Sequence, residues 1–178
     1  MAVKTFGSEI LTSSDTNTYL ANSGLVYVTS ASINSGATTV AISSAFNTNF
    51  DSYRIVITNG TMSNLSAIAL YLTGATTGYY GALIYTNSTG VVQSLVANNG
   101  ASGTYSGVGT TNYVQLCMDI HDPFLAKPTR FNGAYVSQTD FGNCNYFQSS
   151  ATSYTGFTLT ASTNFTGGTV TVYGYRKA

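Results

Sequence analysis

From Gly24 onward the chain alternates apolar and polar positions with a period of two. GLVYVTSASI (24–33) sets Leu25 and Tyr27 against Val26 and Val28, and ATTVAISSAF (37–46) puts Val40 and Ile42 on one side. SYRIVITNG (52–60) opposes Tyr53, Ile55 and Ile57 to Arg54, Val56 and Thr58. SAIALYLTG (66–74) opposes Ile68, Leu70 and Leu72 to Ala69 and Tyr71. Successive side chains of a strand point to opposite faces, so each run predicts a strand with one buried face. YYGALIYTN, GVVQSLVANNG, NYVQLCMDI, TRFNGAYVS, YTGFTLTAS and GTVTVYGYRK continue the pattern. TNG, TGATTG, NSTG, NNGASG and NFTGG between the runs carry turn chemistry, and the Asn-Gly pairs suit tight turns with positive φ.

Roughly nine or ten short strands without intervening helices exclude a parallel α/β sheet. They predict an all-β chain: a single jelly-roll-like antiparallel sandwich, two sheets built on eight core strands. An immunoglobulin-like sandwich fits less well, because the chain has no tryptophan and 178 residues. No fixed-period repeat points to a solenoid or propeller. One helix is expected, in ILTSSDTNTYLANSG (10–24), with Ser14 as N-cap, Asp15 at the positive end of the dipole and Gly24 closing it. So short a helix is marginal alone and needs a packing partner. The expected organisation is an N-terminal segment, 1–23, and a sandwich domain, 24–178.

Composition narrows the partners. Charged residues make up 7% of the chain and net charge is zero, whereas 43% of residues are apolar and 13% aromatic. Such a chain folds rather than staying disordered. Its six scattered basic residues imply neither nucleic acid nor anionic membrane as a partner. A surface poor in charge is prone to associate, so a homotrimer through apolar strand faces and the leading segment is expected, with neutral polar surface left to meet sugars. MAVKTFGSEI lacks the apolar core of a signal peptide, so release by lysis or assembly is expected rather than secretion. Four Asn-X-Ser/Thr triplets carry no signal, because 15 asparagines among 49 serines and threonines produce about four by chance.

Candidate chemistry is sparse. Asp119 and His121 share a strand face in MDIHDPF and are the nearest approach to a metal pair, but no second histidine completes a site. Asp122-Pro123 instead reads as a turn with His121 at the end of a strand. Only six acidic residues exist, and Asp51, Asp119, Asp122 and Asp140 adjoin turns or strand ends, so no carboxylate pair for glycosidase chemistry is evident, and no nucleophile motif is present. No enzyme, cofactor or metal is therefore expected. Cys117 and Cys144 read as free buried thiols, and Lys127, Arg130 and Arg176 as solvated charges. Fourteen tyrosines are the stronger signal. Tyr79, Tyr80, Tyr85 and Tyr105 lie on or beside glycine- and serine-rich segments and are the candidate ligand contacts, with packing on pleated faces as the alternative.

VKTFGSEILTSSDTNTYLANSGLVYV resembles the amino-terminal segment of small virion proteins of tailed bacteriophages, notably those infecting cyanobacteria and other marine bacteria. FDSYRIVI, LYLTGATTGYYGA, MDIHDPFLAKPTRFNG and VTVYGYRKA resemble the β-rich domain that follows it. The resemblance covers most of the chain and is weaker from Val91 to Thr111. It implies a tail fibre or related appendage and supplies no catalytic residue. By that analogy the leading segment docks onto other virion proteins through Ile10, Leu11, Tyr19 and Leu20, and the β domain projects toward a host surface glycan. A capsid decoration protein sealing the phage head is the alternative. In either case the protein resides in the virion.

Overall fold

The structure, a computed structural model, describes residues 24–177 and, ahead of them, the backbone of two short strands. These are β1 (Val3–Thr5) and β2 (Ser8–Ile10), which among the described residues pair only with each other. Ile10 is thus in a strand, and the rest of the expected helix, with Leu11, Tyr19 and Leu20, lies outside the described residues. Gly24 has φ of 83°, the left-handed conformation its sequence position suggested.

The remainder is all-β, as the alternation predicted. In chain order the strands are β3 (Leu25–Ser32), β4 (Thr39–Ile42), β5 (Phe50–Met62), β6 (Ser66–Leu72), β7 (Tyr79–Asn87), β8 (Val92–Gly100) and β9 (Gly103–Gly109). There follow β10 (Val114–Gln115), β11 (Cys117–His121), β12 (Thr129–Val136), β13 (Asp140–Gln148), β14 (Phe157–Ala161) and β15 (Phe165–Arg176). They form two antiparallel sheets in a jelly-roll-like sandwich. The larger has order β3-β15-β5-β11-β12-β13-β7-β8 and the smaller β10-β9-β6-β14-β4.

Most of the alternating runs turn their apolar side into the space between the sheets; β3 and β8, the ends of the large sheet, do not. Tyr53, Ile55, Met118, Ile120, Val170 and Val172 from the large sheet meet Ile68, Leu70, Leu72, Phe157 and Leu159 from the small one, all fully buried. Burying a side chain of this size contributes about 1.5–3 kcal/mol, so this shared face is the main stabilising element. Tyr79 ties the layers together, its hydroxyl accepting the Leu72 N–H at 2.6 Å.

Two expected turns are not turns. Asn59-Gly60 lies inside β5 and Gly167-Gly168 inside β15, where the pairing of the two strands shifts register. Asn59 (φ 52°) and Gly168 (φ 124°) make facing bulges in which the backbones nearly touch: a Cβ on Gly168 would sit 2.7 Å from the Gly60 Cα. Positive φ served a bulge here rather than a reversal. Two strands of the sandwich also lack a counterpart among the predicted runs. One is β9, a glycine- and serine-rich stretch in which Gly107 is needed because a Cβ there would come 2.6 Å from the Gln115 carbonyl. The other is β13, which becomes central to the site.

Candidate functional site

Polar and aromatic side chains from six neighbouring strands line up on the outer face of the large sheet. The register of β15, β5, β11, β12 and β13 places Tyr173, Arg54, Asp119, Asn132 and Asn145 in one transverse row. The next row holds Tyr175, Ser52, His121, Arg130, Phe147 and, on β7, Tyr80. A shallow groove of about 410 Å³ runs over the centre, lined by Arg54, Cys117, Asp119, Asn132, Asn143 and Asn145 among others.

At the middle, Arg54 binds the Asp119 carboxylate through two parallel bonds, Nε to Oδ1 at 2.8 Å and Nη2 to Oδ2 at 2.7 Å. The Tyr175 hydroxyl donates to Oδ1 at 2.8 Å, and the guanidinium lies 5.6 Å from the Tyr175 ring centroid. Burial alone pushes the Asp119 carboxyl up, but the hydrogen bonds of Arg54 and Tyr175 and the Arg54 charge outweigh it and hold the group below the usual carboxylate range. Burial and the Asp119 bond push the Tyr175 phenol up to about 12. The pair is therefore an ionised, internally neutralised fixture. His121 is fixed beside it, Nδ1 on Ser52 Oγ at 2.9 Å and Nε2 on Asn132 Oδ1 at 3.0 Å.

Around this fixture the groove offers amides. The side chains of Asn143 and Asn145 are exposed and, among the described residues, make no hydrogen bond to the protein, leaving donors and acceptors to solvent. Aromatic rings rim it. Tyr80 stacks on Phe147 at 5.4 Å between centroids, and Tyr27 meets Tyr173 edge-on at 6.5 Å on the far side. With strands about 4.8 Å apart, the five steps from β15 to β7 separate the two rims by about 24 Å. Free amides between aromatic rims suit an extended neutral polyol, whose hydroxyls pair with amides and whose C–H faces lie on rings. The groove contains one carboxylate, Asp119, with its oxygens already engaged.

The tyrosines chosen from sequence do not form this site together. Tyr79 has no exposed surface, so its assignment as a ligand contact is corrected: its hydroxyl serves the Leu72 amide inside the core. Tyr85 and Tyr105 pack against the core from the inner side, Tyr85 beside Tyr135 at 6.4 Å. Only Tyr80 reaches the outer face. A bulge after Tyr79, with Gly81 at φ of 151°, accommodates the change of register with β8. Lys127 and Arg130 are exposed, as solvated charges should be, and their ammonium and guanidinium also clasp the Asp122 carboxylate at 3.0 and 2.6 Å. Asp122 (φ 65°) and Pro123 do open a turn, and no cluster of metal-ligating residues is present among the described residues. Cys117 and Cys144 are free and on opposite faces of the sheet. Cys144 is buried, whereas Cys117 is exposed in the groove, contrary to the expectation of two buried thiols.

Arg54, Asn132, Asn143, Asn145, Phe147, Tyr173 and Tyr175 were not singled out from sequence. Their only signal is polar or aromatic occupancy of the outward positions of alternating strands, which an ordinary wet face also shows. No protein-family model, curated protein or solved structure matches the chain.

Proposed function

We propose that the protein is a non-enzymatic virion component of a tailed bacteriophage, a tail-fibre or receptor-binding appendage whose large sheet presents its groove to a neutral host-surface glycan. The observation that carries the glycan assignment is the unengaged amides of Asn143 and Asn145 beside the fixed Arg54–Asp119 pair, between two aromatic rims. Pre-fixed partners reduce the ordering cost of binding. Salt pairing of the groove's one carboxylate leaves little net charge, which supports an uncharged ligand over an acidic one. The phage assignment rests on the sequence resemblance, with 1–23 as the segment that docks on other virion proteins.

Binding of purified protein to host-derived polysaccharides tests the reading. N143A/N145A is expected to weaken binding roughly tenfold, the loss of two hydrogen bonds at about 0.5–1.5 kcal/mol each, with the melting temperature unchanged. Undiminished binding would move the site elsewhere. A virion copy number near that of the major capsid protein would turn the assignment to capsid decoration.

A further inference from the structure

We propose that two copies of this chain associate through β8, antiparallel and about a two-fold axis at Ser94, joining their large sheets into one. β8 ends the large sheet, and the outward backbone groups of such an edge strand are open to another strand. Natural edges are usually guarded by charge or proline. Here Val92–Gly100 contains neither, and no charged residue occurs between Arg54 and Asp119. The strand also carries apolar surface outward: Val92 is 68% exposed and Val96 73%, with Ile84 and Phe141 more than half exposed next to them.

A second copy is the occupant these features fit. In an isologous pair the edge meets a copy of itself, so a net charge on it would face the same net charge; this edge carries none to oppose. The regular part of the ladder runs from Val92 to Ala97, before the break at Asn99 (φ 54°), and Ser94 is the centre of Val92–Val96 within it. An axis there sets Val92 of each copy opposite Val96 of the other on the outer face, and Gln93 opposite Leu95 on the inner one. The hairpin that presents β8 is held in shape. The Asn87 side-chain oxygen accepts the N–H groups of Thr89 and Val91 and the Thr89 hydroxyl. A two-fold pair also differs from the three-fold association that composition suggested.

Light scattering coupled to gel filtration reads the mass directly. The wild-type chain is expected to run as two chains at high micromolar concentration. V92K/V96K, which faces lysine with lysine twice, is expected to halve that mass without changing the β-type circular dichroism. V92E/V96K is expected to restore it in a salt-sensitive way, because a carboxylate of each copy then faces an ammonium of the other. In a C117S background, S94C is expected to form a cross-copy disulfide on oxidation, since directly opposed residues are within disulfide reach. A wild-type mass of one or three chains overturns the proposal. So does pairing that survives V92K/V96K, failure of V92E/V96K to restore it, or a folded S94C chain that does not cross-link.

Discussion

Replacing Asp119 by Asn preserves shape but removes the charge at the centre of the outer face. In the wild type the carboxylate accepts two bonds from Arg54 and one from the Tyr175 hydroxyl, all at 2.7–2.8 Å. The amide loses the ionic component and turns an N–H₂ toward donors. Hydrogen bonds to charged groups contribute about 1.5–3 kcal/mol. Arg54 is 36% exposed, so water takes over part of its solvation, and the expected loss is nearer about 1–2 kcal/mol. For a domain of this length that lowers the melting temperature by about 3–6 °C at pH 7. The pH dependence supplies a sharper check. The Asp119 carboxyl is held below its ordinary value in the fold, so its contribution is present above the unfolded value near ~3.9 and is lost as pH falls through the lower, folded one. The gap between wild type and D119N, followed by thermal melts from pH 7 downward, should therefore close in strongly acidic buffer, where both side chains are neutral. Equal melting temperatures at pH 7, or a gap that persists undiminished at the acid end, would refute the role given to this ion pair.

Gly168→Ala should destabilise by about 2–3 kcal/mol in denaturant melts, because it combines a strained φ of 124° with a Cβ 2.7 Å from the Gly60 Cα. Gly167→Ala, whose Cβ would meet nothing within 4 Å, should cost distinctly less, and equal losses would remove the close-approach argument. A thiol reagent at mildly alkaline pH should modify Cys117 in the native protein and leave Cys144 untouched until unfolding. Burial shields the Cys144 thiol and pushes it up to about 11. Reductant should leave the melting temperature unchanged.

The fold was legible where information is local. Tyr53/Ile55/Ile57 and Ile68/Leu70/Leu72 announce a strand and its buried side within a few residues, because strand geometry alone assigns alternate side chains to opposite faces. That is enough to specify an all-β sandwich. It is not enough to choose neighbours. Arg54 meets Asp119 across 65 positions of chain, and Asn132 and Asn145 join them only because β11, β12 and β13 pair in that register. Tyr79 and Tyr80, adjacent and alike in sequence, were separated by the sheet into a core tie and a rim ring. The Asn-Gly and Gly-Gly chemistry expected to close turns became a pair of facing bulges where β5 met β15. Local alternation thus determined most of the strands and which side of them is buried, and missed β9 and β13. Only tertiary pairing decided which outward side chains stand together, because strand order and register depend on contacts made far apart in sequence.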